Sequence, residues 1–483
     1  MSSTRIASFN EMKTRISKSD YQLYLEAPMH LWAHKHGQIQ KRPTEFEILI
    51  MNQGYEVERI ARDYLENILV NSDSGENVQF QRTFSDRHFT ARTDALVYKP
   101  ETDSFDLYEI KSSSSNKPEF IIDAAFQYLI VNKEIKVGRI FILHLNKEYV
   151  RFTNLNLENL FISEDVSDKV QEILIDIDIK RREALAVAQQ NIHEGIQHCY
   201  KPKECPCPNL CHPILPDYSI YDIPRITEKK KIQLLDQGIV DIKDVPSTFL
   251  LNDKQQKIVE VAKVGKPFID RKAIRREFEH FEYPLYFLDY ETFLSAIPLF
   301  DGYHPQQQIV FQYSLHKMES LDREVTHTEH LSITNDDPSI SLVESLIKDI
   351  GNSGTVFVWN KTFEIGRNKE LSEIHPDYTD FFEKLNDRIY DLGDFINYGM
   401  YIHPDFKGSW SIKNVLPVMV PELSYSDMEI GKGDQAMMAW WRLINDDLPT
   451  DEVKKTKIAL LEYCKLDALA MVEIFKYLST LRK

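Results

Sequence analysis

The sequence predicts an α/β protein with two sheet-bearing domains joined by a helical, cysteine-rich connector. Three observations point there. Two separated stretches, 78–146 and 283–360, contain short apolar runs with strand alternation. Segments with helical periodicity surround each of them, so each can cover its own sheet. Between them, CYKPKECPCPNLCHPILPDYSIYDIP at 199–224 carries six prolines and four cysteines, which neither a helix nor a central strand tolerates. The expected boundaries are 1–212 for a first domain closed by that loop, 213–281 for a helical connector and 282–483 for a second domain. A length of 483 residues suits about three domains at roughly 150 residues each.

In chain order, helices are expected near 17–35 and 44–70. VQFQRTF, FTARTDALVYK and FDLYEIKSS then read as three strands, 118–133 as a helix and RIFILHLN as a strand, giving α-β-β-β-α-β. Past the cysteines, 226–237 and 253–280 read as helices, with a turn at LLDQGIVDIKDVP between them. LYFLDYETF, IVFQYSLHKM and EVTHTEHLSI form three further strands. A helix at 338–350, the strand TVFVWN and several helices ending in 453–480 follow. MMAWWRLI reads as core or interface, and TEKKK at 227–231 as a solvated helix start.

Composition narrows the class. Hydrophobic residues make up 42% and charged residues 28%, enough to bury cores. No apolar run approaches the roughly 20 residues of a membrane span, and MSSTRIASFNEMKTRISKSD lacks the apolar stretch of a secretory leader. A cytoplasmic chain without a membrane partner is expected. The net charge of −17 argues against a protein that coats nucleic acid. It leaves room for a nuclease, which concentrates carboxylates to hold divalent cations. No Walker-type glycine loop is present, so no NTPase motor is indicated.

The first constellation lies in RTDALVYKPETDSFDLYEIKSSSS. Glu109 and Lys111 stand two apart on a predicted strand and so leave one face. Asp94, near the middle of the preceding strand, faces the same cation, and a lysine beside it can orient water or stabilise charge. An acid-x-base triplet arises about nine times by chance in such a chain, so the apolar flank of LYEIK carries the reading. A charged strand end facing solvent is the ordinary alternative.

These residues resemble the PD-(D/E)XK superfamily, in its RecB-like branch. SKSDYQLYLEAPMHLW resembles the opening helix and "YL-x-x-P" turn of that branch. GYEVE resembles the helix that supplies a metal-side His or Glu, here Glu58 with Glu56 as the alternative on the same helix. Asp94 matches the motif aspartate, Glu109 and Lys111 the E-x-K pair, and Gln127 in DAAFQYLIV the glutamine of the next helix. The resemblance implies a restriction-endonuclease-like fold and phosphodiester hydrolysis with Mg²⁺ or Mn²⁺.

The second constellation is Asp289 and Glu291 in YFLDYETF, again two apart and on one strand face. Acids within an aromatic strand are costly unless paired or bound to metal. Tyr463 and Asp467 share a helix face at i and i+4 in LLEYCKLDALAMVEIF, and Glu364 sits at the turn in VWNKTFEIGRNKEL. Together they resemble the DEDD exonucleases of the RNase H-like, DnaQ-type fold, whose first strand carries D-x-E and whose late helix carries Y-x-x-x-D. The resemblance implies two divalent cations held by Asp289, Glu291, Glu364 and Asp467, with Tyr463 positioning water. Phe363-Glu364 departs from the family's Phe-Asp, and Asp391 in IYDLGDF is the reserve for that third acid. Gly408, Ser409, Ser411 and Lys413 lie in a stretch shared with proteins that join these two domain types. Either a phosphate-contacting loop or a structural turn fits them.

Cys199, Cys205, Cys207 and Cys211 fall within 13 residues, a thiolate density that suits Zn²⁺ or an iron–sulfur cluster better than disulfides. RecB-like relatives hold a [4Fe–4S] cluster with a further cysteine in the "YL-x-C-P" turn. Ala27 occupies that position here, so Cys207, His198 or His212 would complete the set. Cys464 reads as a packed helix residue. The expectation overall is a nuclease acting on nucleic acid, DNA ahead of RNA, in repair, recombination or defence. The alternatives are a nucleic-acid-binding scaffold with one dead domain and an RNA-processing exonuclease. The sequence leaves protein partners open.

Overall fold

A computed structural model describes residues 15–39, 42–70, 72–426 and 428–482. Residues 1–14 of the N-terminal stretch MSSTRIASFNEMKTRISKSD lie outside them. The chain is mixed α/β and divides into two compact units, residues 1–214 with 296–306, and residues 215–295 with 307–483. The stretch expected as a connector, 213–281, falls almost entirely within the second unit. There Ile220, Leu234, Ile242, Val245 and Ile258 build a small core. Among the described residues, no helix is long and apolar enough to cross a membrane.

In the first unit the predicted helix at 17–35 is two helices, Lys18–Glu26 and Pro28–Lys35. Ala27 precedes a proline and is pushed into extended backbone, which ends the first helix. Ser17 caps it in a reciprocal box with Asp20. The helix Glu45–Tyr64 follows. The predicted strands VQFQRTF and FTARTDALVYK each break in two, giving β1 (Asn77–Phe80), β2 (Thr83–Ser85), β3 (Thr90–Arg92) and β4 (Ala95–Lys99). Gln81 is the breakpoint, with a left-handed φ of 54°, and its N–H donates to the Asp94 carbonyl. Asp94 therefore sits at this corner, just before β4, and not in mid-strand as the alternation suggested.

β5 (Ser104–Lys111), the helix Pro118–Val131 and β6 (Val137–Leu145) form a parallel β-α-β crossover. β7 (Phe161–Asp165) completes a sheet ordered β1-β4-β5-β6-β7, and the helix Ser167–Gln189 follows. Helices cover both faces, as the period of two requires. Leu96, Leu107, Ile140 and Ile142 pack under Tyr21, Phe126 and Ile177. Val97, Tyr108, Phe141 and Leu143 pack under Val57, Ile60 and Ala61.

In the second unit the predicted helix at 253–280 is interrupted. Gly265 takes φ 66° and closes the helix Asp253–Val264, Pro267 follows, and β8 (Phe268–Ile269) precedes the helix Arg271–Phe278. The main sheet comprises β9 (Leu285–Leu294), β10 (Gln308–Met318), β11 (Thr326–Leu331), β12 (Val356–Val358) and β13 (Ile389–Asp391). Its order is β11-β10-β9-β12-β13, the first three antiparallel and the last two parallel additions to β9. β9 is buried on both faces. Tyr286, Leu288 and Tyr290 meet the helices Ser339–Asp349 and Lys361–Ile374. Leu285 and Phe287 meet Ala468, Met471 and Phe475 of the long helix Thr450–Leu481. One face of MMAWWRLI is core: Trp440 is fully buried and stacks on Phe311, while Arg442 is exposed.

Candidate active sites and metal centre

The first site lies entirely in the first unit. Glu109 ends the apolar run of β5 and is 1% exposed. Its Oε1 accepts hydrogen bonds from Lys18 Nζ at 2.5 Å and Lys111 Nζ at 2.9 Å, and its Oε2 accepts one from the Gln127 amide. Lys111 also donates to Asp123 Oδ2 at 2.7 Å. Burial alone would raise the Glu109 pKa. Lys18 and Lys111 outweigh it and hold the carboxyl below its ordinary range.

Asp94 accepts the Ile110 N–H through Oδ2 at 2.9 Å, which ties the strand corner to β5. Its pKa is raised, by burial first and then by Glu109. The two carboxyls titrate as a coupled pair, with Glu109 the first to lose its proton. Burial works against the Lys111 ammonium, but Glu109 and Asp123 outweigh it and raise its pKa. Glu58 hydrogen-bonds Arg62 at 2.6 Å and the Gln81 amide. Glu58, Asp94 and Lys111, with Met51, Gly54, Tyr55, Ile110 and Ser112, line a cleft of about 270 Å³. Glu109 lies behind that lining. Lys18 went unnoticed in the sequence because nothing local marks it. Only the fold, which brings the start of its helix to Glu109 across 91 positions, makes it a partner.

The second site lies in the second unit, where β9 continues its Leu285–Phe287 face into Asp289 and Glu291. Donor atoms of Asp289, Glu291 and Cys464 all lie within 4.8 Å of one another. Cys464 is buried as expected, yet its Sγ is 3.6 Å from Asp289 Oδ2, so it also borders the acids. Asp467 and Glu364 stand outside that tight group but both act on Asp289 electrostatically. The pKa of Asp289 is pushed well up by burial, then by Asp467, Glu291 and Glu364. Glu291 is pushed well up by burial and Asp467, with Lys413 opposing.

Asn360 caps the helix Lys361–Ile374 and sets Glu364 in its first turn. Glu364 is 3% exposed, its Oε2 has no hydrogen-bond partner among the described residues, and burial raises its pKa to about 8. Asp391, the reserve candidate, is otherwise engaged: Oδ2 accepts the Lys361 N–H and Oδ1 the Gly393 N–H, each at 2.9 Å.

Tyr463 and Asp467 both face inward from the long helix. Lys413 Nζ donates to the Tyr463 hydroxyl at 3.2 Å and to the Gly431 carbonyl at 2.8 Å. Tyr425 donates to Asp467 Oδ1 at 2.5 Å. Burial and then Asp467 hold both phenols above their ordinary range, so they stay protonated and donate. Tyr425 carries no mark in the sequence, and Lys413, expected in a phosphate-contacting loop or a structural turn, reaches the Tyr463 hydroxyl. Gly408 is a structural turn: at φ 68°, a Cβ there would stand 2.2 Å from the Asp222 carbonyl oxygen.

In the cysteine-rich stretch, donor atoms of His30, Cys199, Cys205 and Cys211 lie within 4.8 Å of one another. His30, absent from the sequence-based set, stands three residues past Ala27. Cys207 Sγ is 3.8 Å from Cys211 Sγ but outside that group. Cys199 Sγ is 3.1 Å from His212 Nε2, and none of the cysteines is in a disulfide.

Residues 286–411 match the family described as a domain of unknown function, DUF2779. That span holds Asp289, Glu291, Glu364 and Asp391. The chain is similar to an uncharacterized protein, MG366, of Mycoplasma genitalium, at 28% identity over 41% of this chain and 32% of the relative. It is similar to UU173 of Ureaplasma parvum, also uncharacterized, at 27% identity over 40% of this chain and 31% of the relative. The matched region thus spans about a third of these relatives' length. Among solved structures, an alkaline exonuclease from Laribacter hongkongensis matches 38% of this chain and 91% of its own, with a TM-score of 0.26 and 18% identity.

Proposed function

We propose that the chain is a metal-dependent nuclease with two nuclease-type sites, an RNase H-like DEDD exonuclease site in its C-terminal unit and a PD-(D/E)XK site in its N-terminal unit. The observation that carries the reading is the gathering of Asp289, Glu291, Asp467 and Glu364 about the middle of β9, with Asp289 partly buried and the other three buried. Like charges in a dry site raise one another's proton affinity, and a divalent cation is the partner that makes such a cluster worth its burial. Hard carboxylate oxygens suit Mg²⁺ or Mn²⁺. Asp289, Glu291, Glu364 and Asp467 would hold the ions in the second site, and Asp94 with Glu58 and Glu109 in the first. A bound cation there supplies an activated water and stabilises charge on the phosphoryl group.

The chain's own residues have separable tasks. In the second site Tyr463, kept protonated, donates to orient water or a phosphate oxygen. Lys413 supports that hydroxyl and tempers the repulsion at Glu291 and Asp467. In the first site Lys111, at the cleft wall and charged throughout the working range, holds a phosphate oxygen. Lys18 and Gln127 fix the Glu109 carboxylate behind it.

The order of the second sheet, three antiparallel strands followed by two parallel ones, supports the RNase H-like assignment. So does the placement of Glu364, which acts on Asp289 while Asp391 is engaged by the Lys361 and Gly393 N–H groups. The engagement of both Glu109 oxygens by ammonium and amide groups favours, for the first unit, a second reading as a nucleic-acid-binding module without catalysis.

Separate Asp289→Ala and Lys111→Ala variants of the full chain test both readings. The substrates are matched single- and double-stranded DNA and RNA oligomers with Mg²⁺ or Mn²⁺. Loss of end-directed degradation in Asp289→Ala supports the proposal, and a preference for RNA would redirect it toward RNA processing. Persistence of every activity in both variants overturns it.

A further inference from the structure

We propose that His30, Cys199, Cys205 and Cys211 form a structural zinc site that pins the Pro28–Lys35 helix to the cysteine-rich loop. This goes beyond the nuclease reading and does not rest on it. Three features carry it.

The first is spacing. Bonds of about 2.3 Å to sulfur and about 2.1 Å to nitrogen, at tetrahedral angles, place neighbouring donors roughly 3.6 Å apart. Cys205 Sγ and His30 Nε2 are 3.5 Å apart, and the whole set lies within 4.8 Å. The four irons of a cubane stand between their ligands and hold them much farther apart, so the donor set fits one ion and not an iron–sulfur cluster.

The second is the layer around the donors. His30 Nδ1 faces Glu26 Oε2 at 3.2 Å, which leaves Nε2 turned to the thiols. A carboxylate behind a ligating imidazole fixes its tautomer and raises its basicity. His212, 3.1 Å from Cys199 Sγ, sits where a hydrogen bond to a thiolate is made.

The third is closure. Cys199 and Cys211 are buried among Ala27, Met29, Trp32, Ala33 and Ile196, His30 is 4% exposed, and Cys205 packs partly buried against the same cluster. Four protein donors in an apolar shell, with no open position, describe a structural site and not a catalytic one. Where the resemblance expects a cysteine at 27, the histidine one helical turn on supplies the fourth donor from the same segment, and Cys207 is left outside.

The test uses the full chain purified without added metal. The expected result is about one zinc per chain, colourless protein and a zinc-edge X-ray absorption spectrum with three sulfurs and one nitrogen. Cys205→Ser should lower zinc occupancy at least about tenfold, Cys207→Ser should leave it unchanged and His30→Cys should retain zinc with four sulfurs. Iron with acid-labile sulfide in anaerobically prepared protein overturns the proposal. So does a four-sulfur environment in the unsubstituted chain, or the absence of bound metal. Because the absorption spectrum is read on the unsubstituted chain, a variant that fails to fold does not spoil the test.

Discussion

Replacing Glu364 by glutamine should stabilise the metal-free protein, by an amount that pH sets. Glu364 is 3% exposed, and burial raises its pKa from 4.5 to about 8. The sign follows from linkage. A carboxyl raised in the folded state holds its proton where the unfolded chain has released it. Stability is therefore greatest below pH 4.5, falls as pH rises from 4.5 to about 8, and is level above that. At pH 7 the penalty spans the interval from 4.5 to 7, worth about 3 kcal/mol at roughly 1.36 kcal/mol per pH unit. Glutamine removes the titration while keeping the volume. The advantage of Glu364→Gln should therefore be near zero at pH 4.5 and grow to about 3 kcal/mol at pH 7. Urea denaturation in EDTA, followed by tryptophan fluorescence, reads this. Trp359, Trp410, Trp440 and Trp441, four of the five tryptophans, lie in the second unit. Mg²⁺ should then stabilise the unsubstituted chain more than the variant, since only the folded site binds it. A difference between the two proteins that stays constant from pH 5 to 8 in EDTA would refute the argument that Glu364 is held in a dry, repulsive site.

Three further outcomes are expected. Lys18→Ala should cost about 2 kcal/mol at pH 7, because Glu109 loses a charged hydrogen bond in a buried site. Glu109 lies below its ordinary range, so this contribution is present above pH 4.5 and fades as pH falls through the lowered value. Equal denaturation midpoints for variant and parent at pH 7 would dismiss it. Lys413→Met removes the cation that lowers the proton affinity of Glu291 and Asp467. The acid limb of the pH–activity profile should move upward, and an unmoved limb would show that Lys413 does not act on these acids. Tyr463→Phe should lower turnover about 10²-fold while Mg²⁺ binding by calorimetry stays unchanged, and equal turnover would remove the tyrosine from the mechanism.

The sequence by itself determined how the paired residues of the second candidate site are turned. Asp289 and Glu291 are two apart on a strand, and Tyr463 and Asp467 are one turn apart on a helix. Strand and helix periods alone turn each pair to one face. The apolar runs of β5, β6, β9 and β10 were legible for the same reason, since a buried sheet demands apolar side chains at fixed spacing. Interruptions were harder to read. The breaks at Gln81 and at Thr93-Asp94 carry no glycine or proline, so the strand pattern ran straight through both and placed Asp94 in mid-strand. The stop at Gly265-Lys266-Pro267 was marked but lay inside a strong helical pattern. Partners distant in the chain were invisible. Lys18 meets Glu109 across 91 positions, and His30 meets Cys205 across 175. Local periodicity fixes which face a residue takes. Only the packing of one element on another fixes what that face meets, and a buried carboxylate or thiol takes its charge and its ligand chemistry from the neighbour it meets.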